Sequence, residues 1–479
     1  MIVGRVKQLL ALAATGIPLI VAACSGGDSG EPSVAADAGD AANVDGGQDA
    51  ATDGGQDAAA DGDADGEAST PDGGQDAPAD APDVGPSVIS LHGDTYIESE
   101  PSVAVGPGGR VAVAWIAYLT SSQEPRIGYS FSSDDGKSFS PPQLINGPLA
   151  GAVSGDPAVA LDSSGTAYLV WLSYPSNGPA SDSHVYLASA PPGAGAFGAP
   201  KQIDQTGVAD KPWIAIDSKG RIYVTWSRAS AQAKLAVSLD GTSSFSESTI
   251  TTASDVGMVF PCVSPNAEWL YATYSLVTPK SDGGTPSVAI LASRSHDQGA
   301  TWTPPVVVDT PFQGEPASAD PPNCAASNTN AWFTYGTGTD GVAAGMMARS
   351  KALFLARTDP SFKVDARVAY SDAAGGDRFL HPALIRAGSG ALHVSYFTGK
   401  DPDDGMASVR RTASNDQGLT WSASTPVSPP VLHLLPEKAT LRWLGDYMGL
   451  AHRGASLYVA YASNEGKASH IAFSRVAAP

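Results

Sequence analysis

The sequence predicts an all-β fold, a β-propeller of seven four-stranded blades with its ring closed by an N-terminal strand, and three observations carry that prediction. Residues 87–479 show short alternating runs rich in Val, Ala, Tyr, Trp and Thr, cut by Gly, Pro and Asp, with almost no helical periodicity. Prolines that open such runs recur at 101, 157, 212, 261, 322 and 382, in steps of 56, 55, 49, 61 and 60 residues. Between the third and fourth runs of a step stands a turn of the form Ser-x-Asp-x-Gly-x-Thr-Trp, complete at residues 295–302 and 414–421.

Each step has one grammar. Pro and a short apolar strand come first, then a turn bearing Gly or Asn, then a strand ending in an aromatic. A variable loop, a third strand, the Ser-x-Asp turn and a fourth strand follow. Copy one runs through Glu100-Pro101, the turn Pro107-Gly108-Gly109, Trp115 and Phe139. Copies two and three open at Asp156-Pro157 and Lys211-Pro212 and end their second strands on Trp171 and Trp226. Copies four, five and six open near Pro261, Pro322 and Pro382. Copy seven spans Gly445 to Leu450, Leu457 to Tyr461 and Ile471 to Phe473, and has no fourth strand of its own. Val88-Ile89-Ser90-Leu91, just before copy one, is the spare strand expected to complete it, which removes an open edge. Four strands per step, repeated radially, make a propeller blade. Because copy seven is the least regular, six blades is the alternative count, and a solenoid of hairpins is the rival architecture.

The turns have a physical reading of their own. The Asp carboxylate accepts backbone N–H groups of its turn, Gly supplies a positive φ, and the aromatic ring is an apolar plug. Structural residues are therefore expected at Ser295, Asp297, Gly299 and Trp302, and at Ser414, Asp416, Gly418 and Trp421. A third copy keeps Ser132, Asp134, Gly136 and Phe139, and a fourth keeps Ser238, Asp240 and Phe245. Copies two and five have decayed, at Ser189 to Phe197 and at Asp359 to Phe362.

Residues 1–86 read differently. Arg5 and Lys7 precede an apolar run that ends in Val21-Ala22-Ala23-Cys24, the pattern of a secretory signal too short to span a membrane comfortably. Residues 25–86 hold sixteen Asp or Glu and no Lys, Arg or aromatic, and repeat Asp-Gly-Gly-Gln-Asp-Ala at 45, 53 and 72. Such a stretch buries too little apolar surface to order itself, and its charges keep it extended. The expected division is 1–24 signal, 25–86 disordered acidic linker and 87–479 propeller. The chain carries −21, of which −7 falls on residues 87–479, so a nucleic-acid partner has no electrostatic basis. With Cys24 at the processing site, Cys262 and Cys324 remain as an even pair in an oxidising compartment, for which a disulfide and two buried thiols are the two readings.

Val-Ala-Ala-Cys resembles a bacterial lipoprotein processing site, which implies a lipidated Cys24, an envelope location at the outer membrane or cell surface, and contact with the membrane through that anchor alone. The Ser-x-Asp-x-Gly-x-Thr-Trp turns resemble the Asp-box, or bacterial neuraminidase repeat, of the sialidase-like superfamily. That resemblance covers roughly residues 87–479. It implies a propeller whose Asp boxes lie away from the active face, and it fits sialidases, other glycosidases and non-catalytic binding propellers alike. Sialidases carry an arginine in a Phe/Tyr-Arg-Ile-Pro stretch before the first blade. Residues 92–101 here read His-Gly-Asp-Thr-Tyr-Ile-Glu-Ser-Glu-Pro, so that motif is missing and no catalytic residue is carried over.

In a four-stranded blade the starts of the first strands and the loops between second and third strands share one face. The candidate ligand-binding residues there are Glu100, Asp156, Asp210, Arg228, Asp320, Arg378, His381, Arg442, Asp446 and Tyr447, with Glu98 and Lys211 also entering first strands. Three arginines, Arg228, Arg378 and Arg442, are of the type that clasps a carboxylate. For Asp156, Asp210, Asp320 and Asp446 three readings stand open: paired carboxylates for glycosidase acid–base work, ligands of a calcium ion, or caps on backbone N–H groups. No His partner stands at ligand spacing to His381, so no transition-metal site is expected, and calcium is the one cofactor considered. The leading expectation is a monomeric surface lipoprotein that binds a glycan or another extracellular ligand. The alternatives are an exo-acting, sialidase-like glycoside hydrolase and a protein-binding scaffold.

Overall fold

The structure, a computed structural model, describes residues 83–478 apart from 92–94, 122–123, 150, 177–181, 206, 229–231, 254, 279–286, 310–321, 338–351, 373–377, 400–405, 430–431, 434–443 and 465–467. Seven antiparallel sheets are present, six with four strands in sequential hairpin order and the seventh with three such strands and one from the N-terminal side of the chain. The sheet of blade 6 has a short extra pairing of Leu432–His433 on its third strand. The first strands are Tyr96–Val105, Ala152–Leu161, Ala209–Ile216, Val256–Val263, Asn323–Ala326, Arg378–Arg386 and Gly449–Arg453. Each touches the first strand of the next blade, and blade 7 touches blade 1, so the first strands form the inner wall of a ring. The propeller is thus seven-bladed, which settles the count against six. Cys24 and nearly all of the acidic stretch lie outside the described residues.

Period-two alternation on both faces explains why the second strands are so apolar. Each is central in its sheet and is covered by neighbouring blades on either side, so both its faces must be buried. One position repeats in all seven blades: Trp115, Trp171, Trp226, Tyr274, Tyr335, Tyr396 and Tyr461, none more than 2% exposed. Burying one such ring contributes about 1.5–3 kcal/mol. The partner of the residue just before it fixes the phase of every first strand: Ser102, Ala158, Trp213, Phe260, Asn323, Ala383 and Gly449. Pro101, Pro157, Pro212, Pro322 and Pro382 immediately precede these residues, but Pro261 follows Phe260. The proline of blade 4 is therefore two residues out of phase, and Val259 holds the place that the sequence reading gave to Pro261.

Blade 7 takes its fourth strand from the N-terminal side of the chain. Val84–Val88 pairs antiparallel with His470–Ala477, placing Ser87 opposite Phe473 and Val88 opposite Ala472. The strand begins at Val84, inside the stretch read as linker, and only its last residue belongs to the run 88–91 expected to pair. Leu91 N–H and Ser90 Oγ instead donate to Glu98, whose Oε1 also accepts Trp115 Nε1–H at 2.7 Å. Glu98 is thus a buried structural anchor for residues 90–91. That Val84–Val88 locks the ring is a prediction. Deleting residues 83–91 is expected to lower the melting temperature and to promote self-association at the bared sheet edge, read by calorimetry and light scattering. An unchanged melt and mass would show that the ring holds without this strand.

The Ser-x-Asp turns join third to fourth strands at the end of the blade that also carries the turn Pro107–Gly109. Asp135 N–H donates to Gly109 O at 2.9 Å, which puts both turns at one end. In residues 295–302, Asp297 accepts Thr301 N–H at 2.8 Å and Thr301 Oγ1–H at 2.6 Å, while Ser295 Oγ accepts Gly299 N–H at 2.8 Å. The copies at Asp134 and Asp416 repeat this set, and Asp240 keeps a looser version. Hydrogen bonds from Ser138, Thr301 and Thr420 hold the Asp134, Asp297 and Asp416 carboxyls at about 2, below the usual 3.8. A lowered carboxyl contributes stability above its unfolded value and loses it as pH falls toward the folded one. Asp297→Asn is therefore expected to flatten the acid limb of stability between about pH 4 and pH 2, measured as urea midpoint against pH. An unaltered slope would show that the turn makes no contribution there.

The aromatic of each turn does not plug its own blade; it docks on the blade before. Phe197 lies 5.0 Å from Tyr129, Phe362 5.7 Å from Tyr271, Trp421 6.4 Å from Tyr370 and Phe139 4.8 Å from Phe473. Phe245 and Trp302 pack into the apolar clusters between blades 2 and 3 and between blades 3 and 4. The turn glycines share this duty. A Cβ on Gly136 would stand 2.6 Å from the Phe473 ring, and one on Gly299 would overlap Leu235.

Candidate functional site

At the opposite end, the first strands share an irregularity. The pairing register slips between Ser99 and Ser102, Gly155 and Ala158, Asp210 and Trp213, and Leu380 and Ala383. In each slip stands a residue followed by proline: Glu100, Asp156, Lys211 and His381, with φ of 53°, 52°, 47° and 50°. Proline removes a ladder N–H, so the strand is free to bulge there. The left-handed conformation of a non-glycine residue costs on the order of 1–3 kcal/mol. In blade 4 the slip falls one residue earlier in phase, between Val256 and Val259, and counting back two from Phe260 puts Met258 in the corresponding position. In blade 7 that place is taken by Tyr447.

These residues converge on one ammonium. Lys211 Nζ lies 2.6 Å from Asp446 Oδ2, 3.2 Å from Asp156 Oδ1 and 3.9 Å from Glu100 Oε1. Glu100 is fully buried, while the Asp156, Lys211 and Asp446 side chains are 12–17% exposed. Asp446 N–H donates to Glu100 Oε1 at 3.1 Å. The residue before it makes this approach possible: Gly445 has φ 88°, and a Cβ there would stand 2.7 Å from Glu100 N. Tyr447 Oη–H donates to Pro157 O at 3.0 Å, and its ring meets Trp213 edge-on at 5.0 Å. Trp213 also leans on Phe260 at 4.3 Å, and Met258 completes this apolar wall.

Electrostatics follow from the crowding. Burial raises the Glu100 carboxyl well above its usual range; Lys211 opposes the rise, and Asp156 and Asp446 add to it. Burial works against the Lys211 charge, but Asp156, Asp446, Glu100 and Asp210 outweigh it and hold the ammonium well above its usual value. Desolvation by the surrounding walls and then Asp156 raise Asp210 to about 6. Asp210 is exposed, so water limits that rise. Burial, with Lys211 nearby, lowers His381 to about 3, so its imidazole is neutral. Tyr174 is raised to about 12 by burial, Asp156 and Asp210, and Tyr118 and Tyr447 are raised further by burial and Glu100.

Of the residues expected on this face, Glu100, Asp156, Asp446 and Lys211 meet directly, Tyr447 packs beside them on Trp213, Asp210 acts on the same ammonium, and the charge of Lys211 reaches His381. Arg228 ends the second strand of blade 3 opposite Ala209, and no ion pair joins it to the Lys211 cluster. Arg378 opens the first strand of blade 6 opposite Gly399. Asp320 and Arg442 lie outside the described residues. Tyr118, Tyr174, Trp213, Met258 and Phe260 were not expected. The first two look in sequence like ordinary strand aromatics, and only their place at the ends of second strands marks them. Among the described residues no group of three or more His, Cys, Asp or Glu is disposed to hold a metal ion. An ammonium, that of Lys211, stands between the carboxylates considered for calcium.

No family model matches the chain, and no curated protein matches it. Solved structures do. The chain is similar to a crystal structure of a protein of unknown function from Dyadobacter fermentans, at 14% identity and a TM-score of 0.51, over 83% of this chain and 99% of that one. It is also similar to a Hadza microbial sialidase, at 15% identity and a TM-score of 0.48, over 82% of this chain and 68% of that one. An alpha-L-arabinanase of Penicillium chrysogenum complexed with arabinobiose gives 15% identity and a TM-score of 0.46, over 83% and 99%. The first of these agrees with the fold described above; none assigns an activity to this chain.

Proposed function

We propose that the protein binds a glycan end on the first-strand face, around Asp156, Asp210 and Asp446, and that it does so from the cell surface, tethered at Cys24 by the acidic linker. One observation carries the binding reading: partly exposed carboxylates, held in place by Lys211, share this face with half-buried Trp213, whose ring meets that of Tyr447, the neighbour of Asp446. Carboxylates accept sugar hydroxyls, and an indole face stacks on a sugar ring. Binding is favoured over tyrosine-type hydrolysis because such a nucleophile needs a lowered hydroxyl. Tyr118, Tyr174 and Tyr447 are all raised, and Tyr447 already donates to a carbonyl.

Asp156→Asn and Asp446→Asn are each expected to weaken glycan binding about tenfold to a hundredfold, the worth of a hydrogen bond to a charged group of about 1.5–3 kcal/mol. A glycan array followed by titration of the best ligand reads this. Undiminished binding by both variants would remove the site from this face. A second reading, glycoside hydrolysis, is favoured by the raised Glu100 carboxyl beside Asp156, an acid and a base side by side. Release of a chromophore from aryl glycosides, abolished in Glu100→Gln, would establish it. Against it stands the complete burial of Glu100, which keeps its proton from a leaving group.

A further inference from the structure

We infer that the ligand of this face carries positive charge, an amine-bearing sugar end, and that acidic sugars are turned away; the inference rests on the glycan reading above and sharpens it. Two of the three hydrogen-bond donors of Lys211 are already engaged. Its Nζ reaches Asp446 at 2.6 Å and Asp156 at 3.2 Å, and Glu100 at 3.9 Å lies on the protein side. Among the described residues it is the only cation that an ion pair joins to these carboxylates. Asp156, Asp446 and Asp210 therefore outnumber the one cation paired with this cluster among the described residues.

A second observation points the same way. His381 Nδ1, in a residue 3% exposed and close enough to feel the Lys211 charge, is buried without a hydrogen-bond partner. Unpaired buried polar atoms in a native fold call for an explanation such as a partner from outside. An incoming group thus meets acceptors and a net negative field, which favours an ammonium and sugar hydroxyls. A carboxylate-bearing sugar would bring like charge against Asp156 and Asp446, an arrangement that costs several kcal/mol.

The test is calorimetric titration of the full chain at pH 6.5 with four probes: a glucosamine tetramer, an N-acetylglucosamine tetramer, a galacturonate tetramer and 1,4-diaminobutane. The expected order is glucosamine over N-acetylglucosamine by about tenfold or more, with no galacturonate binding. The gap should shrink at 0.5 M salt, where a charge preference is screened. Galacturonate binding as tightly as glucosamine would overturn the inference and leave the glycan reading standing. Diaminobutane binding as tightly as the glucosamine tetramer would support the charge preference and sink the glycan reading. Failure of all four probes to bind would sink both.

Discussion

Lys211→Met lowers the stability of the protein by about 3–5 kcal/mol, the cost of breaking a buried ion cluster by removing one partner. The lysine itself adds little net stability, because taking Lys211, Asp156 and Asp446 largely out of water offsets most of their attraction. Its loss is costly because Asp156 and Asp446 are left facing each other and Glu100 with no cation between them. The expected deficit depends on pH, and the sign is fixed. Without Lys211 the remaining carboxyls are raised, and a raised carboxyl makes the folded state bind protons that the unfolded chain does not. Stability of the variant therefore falls as pH rises from below the unfolded values toward neutrality. Urea denaturation at pH 5 and pH 7.5 should show the larger deficit at pH 7.5. Adding Asp156→Asn and Asp446→Asn to Lys211→Met should recover part of it. A deficit under 1 kcal/mol at pH 7.5 would mean that water already screens the cluster as it does a surface pair.

The second large effect concerns Cys262 and Cys324. The two are joined in the structure, with Cα atoms 5.9 Å apart and a separation of 62 residues in sequence. The bond ties the first strand of blade 4 to that of blade 5, within the apolar cluster between these blades. Closing a loop of that length removes entropy from the unfolded chain worth about 4 kcal/mol. Cys262→Ala with Cys324→Ala is expected to lower stability by about that amount, and reductant should lower the unaltered protein to the same midpoint. Equal midpoints for the oxidised protein and the double variant would show that the bridge adds nothing beyond the packing of two small apolar side chains.

Much of the fold was legible because its signals are local. Eight residues hold a Ser-x-Asp turn, and both its donors and its acceptors lie inside the motif. A strand ending in Trp or Tyr, repeated at nearly even steps, gives the blades and their order. The exception is instructive: Pro261 sits in a strand of the right kind but out of register, and only pairing across the sheet fixes register. The face of the candidate site was legible from topology alone, and Glu100, Asp156, Asp446 and Tyr447 meet there. Their mutual geometry was not legible. The residue before a proline is expected in extended backbone, whereas Glu100, Asp156, Lys211 and His381 all take positive φ and so turn out of the ladder. No spacing announces that Lys211 belongs to carboxylates 55 and 235 residues away.

The backward docking of the turns has a consequence for synthesis. Chains emerge N-terminus first, at about 5–20 residues per second. Phe197, Phe245, Trp302, Phe362 and Trp421 each dock on a blade that has already been made. Blades 2 to 6 can therefore be added one after another, each new surface closing on a finished one. Phe139 alone waits, because its partner Phe473 is among the last residues made. Tyr458 and Arg475 bond Asp135 at the same seam, and Val84–Val88 pairs there with His470–Ala477. These contacts between the two ends of the chain are thus gathered at one junction. The nascent ring stays open there until its final strand is released, and a chain cut short near its C-terminus would keep six built blades and no means of closing them.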